Sequence, residues 1–549
     1  MENLLLSRTT RGVALTLLYT KAVFLMLLFI RCSDFIDVVP ENSTTFTSFF
    51  RTVQDAESLL NALKSKERNM ILGQYREPHI MAGLIVDSTL DRGVLSAKEL
   101  DLGTYTSGNL NWDKYYITIN AADLILDNLH RFPLDKEILK LYELQAYFSK
   151  GLSYFHLAQR WGDCPITKGS LYLEKLAKSP EAEVLEEATK WALKAMELPE
   201  FENLKDADGK QRKTKQYASK GAAAALLAHI YAWRAAVESK PEYWGEAEKY
   251  CTMLINGEVG HYGWARDPEE VCSNVLKRDH SETIWEIYRT STERLETVAY
   301  YQEGFINFPI KLDASTGPLD QPTLAINKTT INEMYDREDR RRDAYFLWLD
   351  ADTIYMYSQG GVLKADTTRP AGGTYDTEPG SIKLMAYSNE TIPFGFVNKF
   401  RNAYFELNPY YNELQYIGQD MNKVVWRMAD IVLLRAECRV RQNKTDAVED
   451  LNRVRERAYG NREHDYVSSE GRLQDIILRE REKELLFESY RFYDLRRNGM
   501  EYVRTISEQF NNLTERDIIE GCLFYGIHTA AFTNNDLMRQ NVYWNRFLQ

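Results

Sequence analysis

Between Tyr217 and Ala236 the chain carries Ala218, Ala222, Ala223, Ala224, Ala225, Ala228, Ala232 and Ala235. Alanine is the strongest helix former, and its methyl group leaves no bulk between crossing helices. A helix this rich in small residues lacks a wide polar face for water, so it packs against neighbours on both sides. The chain must therefore fold largely as a helical assembly.

Other segments repeat the helical period. Leu141, Leu144, Phe148, Leu152, Phe155 and Ala158 recur every three or four positions and predict a helix over 141–161, stopped by Gly162-Asp163-Cys164-Pro165. Val184–Leu198 reads as a second helix, ended by Pro199. Pro241-Glu242 opens another that runs through Ile255. Trp426–Arg441 and Asp446–Ala458 read as a pair joined by Asn443-Lys444-Thr445, and Leu473–Arg497 as one long charged helix. The pairs 217–255 and 426–458 look like tetratricopeptide units, whose faces are buried only by stacking. Their spacing is too irregular for a plain 34-residue array.

Residues 257–420 differ. Gly360-Gly361, Gly372-Gly373, six prolines between Pro309 and Pro393 and many isolated tyrosines leave weak helical signal, apart from stretches such as Thr329–Tyr335. We read 257–420 as a loop-rich subdomain with short strands, set on a helical scaffold formed by 49–256 and 421–549. Loops on a rigid scaffold are where binding residues concentrate.

At the N-terminus, Arg8 and Arg11 precede the apolar run Gly12–Ile30, then Cys32. A basic start followed by an apolar segment describes an export signal over 1–31. Cleavage at Cys32 would make it an acylated N-terminus, with 32–48 as a tether. The alternative is an uncleaved anchor, since about 18 apolar residues can span a bilayer. Phe29, Ile30 and Arg31 are bulkier than the small residues a lipoprotein cleavage site prefers. Both readings put the rest of the chain outside the cytoplasm. The net charge of −12 becomes −15 without residues 1–31, which hold Arg8, Arg11, Lys21, Arg31 and Glu2. So acidic a chain repels phosphate backbones and argues against nucleic acid as a partner. The cysteines other than Cys32 are an odd number, widely spread, unlike a disulfide framework.

Catalytic signatures are missing. There is no phosphate-binding loop, dinucleotide glycine motif, H-E-x-x-H or G-x-S-x-G. Cys251, His261, Cys272 and His280 match no zinc spacing. Asp206-Ala207-Asp208-Gly209 would put Lys215 where a calcium loop needs a bidentate Glu, so it reads as a solvated turn. The run Arg479–Glu484 reads as a solvated helix face, with local pairs such as Glu488–Arg491. No metal, cofactor or catalytic residue is expected.

Several ordered segments together resemble the SusD/RagB family of outer-membrane nutrient-binding lipoproteins. They are Cys32-Ser33-Asp34-Phe35, Trp112-Asp113-Lys114-Tyr115-Tyr116, Arg160-Trp161-Gly162-Asp163-Cys164-Pro165, Arg427-Met428-Ala429-Asp430, Glu480–Gly499 and Asn535–Asn541. The resemblance implies a mainly α fold of irregular tetratricopeptide-like pairs with a strand-containing insertion. It implies a non-enzymatic lipoprotein on the cell surface, anchored in the outer membrane through Cys32. Such a protein covers a SusC-like TonB-dependent transporter and delivers a nutrient oligomer, a glycan in most members. Family contacts cluster before the first conserved helix and in the insertion, where this chain offers Tyr75, Arg76, His79, Tyr105, Asn109, Asn111, Tyr300, Tyr301 and Gln302. Aromatic faces suit sugar rings and amides suit hydroxyls. The alternative function is an extracytoplasmic helical-repeat scaffold that binds protein or peptide. The wild-type protein should label with palmitate and Cys32→Ala should not; no labelling of the wild type would leave the uncleaved anchor.

Overall fold

The computed structural model describes residues 49–74, 77–83, 85, 88–89, 110–289, 311–313, 317–318, 324–358, 384–401, 403–408 and 413–546. The helices come first: α1 (Val53–Leu72), α2 (Asp113–Asn128), α3 (Lys136–Trp161), α4 (Glu181–Ala195), α5 (Lys220–Val237) and α6 (Glu242–Ile255). α1 starts at a capping box, in which Thr52 and Asp55 satisfy each other's backbone N–H groups. α3 ends at Gly162, whose φ of +71° a side chain would strain. Asp163 in that turn accepts from the Glu181 backbone N–H at 2.9 Å and so fixes the start of α4.

α5 is the alanine-rich segment, and Ala222 through Ala225 are essentially inaccessible. Its start is clamped to α3. The Gln145 amide donates to the Ala218 carbonyl at 2.7 Å and accepts from the Ala218 N–H at 3.1 Å. The packing partners are those the small residues allow: α3 on α4, α5 on α6, and α6 on a later helix. α3 and α4 approach so closely that a Cβ at Gly151 would lie 3.0 Å from the Ala192 backbone nitrogen.

The strands follow: β1 (Thr283–Ile287), then helix α7 (Lys328–Met334), β2 (Thr353–Ser358), β3 (Leu384–Ser388), β4 (Ala403–Asn408), β5 (Glu413–Gln419) and β6 (Lys423–Arg427). β2 pairs β3, and β4 pairs β5, both antiparallel. β1 pairs antiparallel with β6, Lys423 opposite Ile287 and Val424 opposite Glu286. That pairing closes the insertion at its base, because the chain leaves and re-enters the helical body at adjacent strands. Trp285 donates to the Gln216 carbonyl at 3.0 Å, which ties the base to the start of α5.

The last helices are α8 (Met428–Arg441), α9 (Ala447–Tyr459), α10 (Leu473–Glu484) and α11 (Arg491–Asn498). α8 starts two residues later than the periodicity suggests, because Trp426 belongs to β6. The expected helix Leu473–Arg497 is two helices. Its carbonyls at Glu484 and Leu486 accept from Lys399 and Arg427 instead of from the next turn. Phe487 and Ser489 then take positive φ values of 61° and 77°. The asparagine-rich tail closes the body. Asn541 donates to the Tyr525 carbonyl at 3.1 Å, and Trp544, fully buried, donates to the Phe524 carbonyl at 2.7 Å. Among the described residues no helix is long and apolar enough to cross a membrane, and Cys164, Cys251, Cys272, Cys438 and Cys522 are buried free thiols. The turn at Asp206 is self-contained: its carboxylate accepts from the Asp208 and Lys210 N–H groups. Gly151→Val should destabilise the fold by about 1–3 kcal/mol through overpacking of α3 on α4, read as a fall in the denaturant midpoint at constant slope.

Candidate functional site

The charged run at 479–488 is not a solvated face. Glu480, Arg481, Glu484 and Glu488 are all buried, and their partners come from distant segments. Arg427, at the end of β6, donates to Glu488 at 2.8 and 2.9 Å, to Glu484 at 2.8 Å and to Glu282 at 3.2 Å. Arg457 on α9 bridges Glu282 (2.8 Å) and Glu484 (2.6 Å). Lys399 donates to Glu488 at 2.7 Å, and Arg341 pairs with Asp339 at 2.7 Å. Burial alone would raise the Glu484 carboxyl, but Arg457, Arg427, Arg341 and Lys399 outweigh it and hold it at about 2. A second cluster joins α8, α10 and α11: Arg481 bridges Asp430 (2.8 Å) and Asp494 (3.0 Å), and Arg497 pairs with Glu437 (2.6 Å). The local pair expected between Glu488 and Arg491 does not form; Arg491 pairs with Glu482 at 2.6 Å.

Between these clusters and the C-terminal end of α1 lies a cavity of about 100 Å³. Ile71, Ile80, Phe155, Val425, Trp426 and Tyr490 make its apolar and aromatic wall. The His229 ring is sandwiched there, 5.8 Å from Trp426 and 6.2 Å from Tyr490, near parallel to both. Gln74, His156, Lys423, Glu488 and Asp494 bring polar groups to the same space. A wider groove of about 690 Å³ runs between α7 and α9–α10. It is lined by Asn332, Asp336, Tyr459, His464, Arg479 and Lys483, with the His464 ring stacked 3.8 Å from that of Tyr459. Its mixed charges and one aromatic pair suit a hydroxylated ligand more than an apolar one.

Of the residues selected from sequence, Cys32, Tyr75, Arg76, Tyr105, Asn109, Tyr300, Tyr301 and Gln302 lie outside the described residues. The neighbours of 75–76 are placed. Gln74 lines the cavity, and Glu77 is buried with Arg160 at 2.5 Å and Lys114 at 3.0 Å. Asn111 is half-buried and accepts from the Asp113 N–H at the start of α2. His79 is a correction: it is fully buried, its ring stacked 4.2 Å from Phe492 and 4.1 Å from Tyr525. Its polar character hid the apolar slot between α11 and the tail that receives it. The cavity-lining residues were missed because they come from five separate segments and no local pattern joins them.

Comparison with known proteins follows the same order along the chain. A family model described as the SusD family matches residues 276–544, and one described as starch-binding associating with outer membrane matches 34–232. SusD-like protein P2 of Formosa agariphila is 23% identical over 505 residues, covering 86% of this chain and 89% of that protein. SusD-like protein P38 of the same organism is 23% identical over 93% of this chain and 95% of its own length. Among solved structures, a SusD homolog from Bacteroides thetaiotaomicron superposes with a TM-score of 0.68 at 21% identity, covering 90% of this chain and 98% of that one. B. fragilis NanU superposes at 0.63 and 18% identity, over 91% and 99%.

Arg427→Met should cost about 3–5 kcal/mol in unfolding experiments, because it leaves buried carboxylates without their main partner. The Glu484 carboxyl is lower in the folded state than unfolded, so its contribution is present above its ordinary value near 4.5 and is lost as pH falls from there towards 2. Glu484→Gln should flatten that part of the stability–pH curve.

Proposed function

Since this chain belongs to the SusD/RagB family, we propose that it captures a glycan oligomer at the cell surface and delivers it to a SusC-like TonB-dependent transporter. The observation that carries this reading is the family match in both halves of the chain, 34–232 and 276–544, one by a model described by starch binding and outer-membrane association. The lipid on Cys32 would hold the protein in the outer membrane. Capture rather than turnover fits the chemistry of the described residues. The buried carboxylates around Arg427 are occupied by guanidinium and ammonium groups, and so are not poised as an acid–base pair for glycoside cleavage.

The ligand surface would be built from Tyr75, Arg76, Tyr105, Asn109, Asn111, Tyr300, Tyr301 and Gln302, held on a rigid helical body. Gln74, at the cavity, and Glu77, in its ion pair, are the described residues on either side of positions 75 and 76.

Tagged protein recovered from native membranes in mild detergent should bring down a TonB-dependent barrel near one-to-one, read by mass spectrometry. Recovery of a soluble protein partner and no barrel would favour the helical-repeat scaffold. In calorimetry against a panel of oligosaccharides, Tyr105→Ala and Tyr300→Ala should each weaken the bound glycan by roughly tenfold, the loss of about one aromatic contact, with an unchanged melting temperature. Unchanged affinity in both variants would remove this surface.

A further inference from the structure

The central cavity contains donors that the ion networks leave unused. Arg160 donates to His156 Nδ1 at 2.8 Å. A guanidinium has no acceptor, so Nδ1 must carry the lone pair. Burial, with Arg160 and Lys114 nearby, holds this imidazole neutral at ordinary pH. The ring proton is therefore on Nε2, and Nε2 is buried without a hydrogen bond of normal geometry, the Gln159 side chain being a polar neighbour of the ring. The side-chain nitrogen of Gln74 is buried and unpartnered in the same way. A buried donor without an acceptor costs about 1–3 kcal/mol, so two on one cavity wall point to an occupant that accepts.

The cavity's own carboxylates cannot serve. Glu488 is taken up by Lys399 and Arg427, and Asp494 by Arg481 and Arg497. Lys423 brings its amine to the same cavity, with contacts of 3.4 Å to Ser489 Oγ and 3.5 Å to the Glu488 carbonyl; burial pulls it down to about 7, and a bound anion would favour its charged form. Ile71, Ile80, Phe155 and the rings of Trp426 and Tyr490 line the same cavity, and the Tyr490 hydroxyl is used on the Val425 carbonyl. The space is about 100 Å³, a few water volumes at roughly 30 Å³ each. It is too small for a sugar oligomer and large enough for a molecule of four to six heavy atoms.

We propose that this cavity binds a short-chain monocarboxylate, acetate to butyrate in size. The carboxylate end lies on the Gln74 amide, His156 Nε2–H and Lys423, and the alkyl end on the Trp426–Tyr490 wall. This site is distinct from the glycan surface and does not depend on it.

The test is saturation-transfer NMR on the full purified protein, with propionate as the probe and propanamide as its neutral isostere. Propionate should give a saturable methyl signal, displaced by acetate and by butyrate, while propanamide gives none. Lys423→Met should weaken propionate by about tenfold or more, as expected for loss of a charge-assisted contact. Gln74→Leu, at the half-buried rim, gives the same readout should the lysine variant fail to fold. Absence of a saturable propionate signal in the wild-type protein, with waters alone filling the cavity, would overturn the proposal. So would wild-type affinity in both variants. Oligosaccharide binding should be unaffected by propionate, which separates this result from the glycan reading.

Discussion

Arg427 holds the architecture together. It stands where the insertion returns to the helical body, as the last residue of β6, the strand that pairs with β1. Its guanidinium reaches Glu282 just before β1, Glu484 at the end of α10 and Glu488 in the break before α11. One side chain thus ties the two ends of the insertion to the last helices. Buried ion pairs of this kind add little net stability compared with an apolar core of the same shape. What they add is register. Each partner is costly if left alone, so arrangements that separate Arg427 from its carboxylates are disfavoured.

The consequence reaches the base of the insertion and the end of α1. The base of the insertion is fixed by the β1–β6 pairing and by Trp285 on Gln216. After α1, Glu77 is held by its pair with Arg160. Rigid roots reduce the entropy that an attached segment loses when it is ordered by a ligand. The close approach of α3, α4, α5 and α6 provides that rigidity through packing, and the charged clusters provide it through directional bonds.

Much of the helical body was legible in the sequence. The alanines of α5 needed small-residue crossings and found them. Gly162-Asp163 predicted a stop, and the stop also caps the next helix. The charged helix was misread for a definite reason. Charges at i,i+3 and i,i+4 look the same whether they face water or distant partners, and Glu282, the partner of Arg427 just before β1, is 145 residues away. His79 was misread in the same way: its ring looked available until Phe492 and Tyr525 were placed on either side of it. The central cavity had no sequence signal, since its walls come from α1 and the chain after it as far as Ile80, and from α3, α5, β6 and the segment from Glu488 to Arg497.

By itself, then, the sequence determined the helical class, the interrupted pairs and the family, because periodicity, small-residue runs and short ordered motifs are local properties of the chain. The tertiary structure alone decided which charges are buried, where the last charged helix breaks and which donors line the cavity. Those outcomes depend on which distant groups meet in a low-dielectric interior. There an unpaired charge costs several kcal/mol, and the backbone yields its own hydrogen bonds to avoid it.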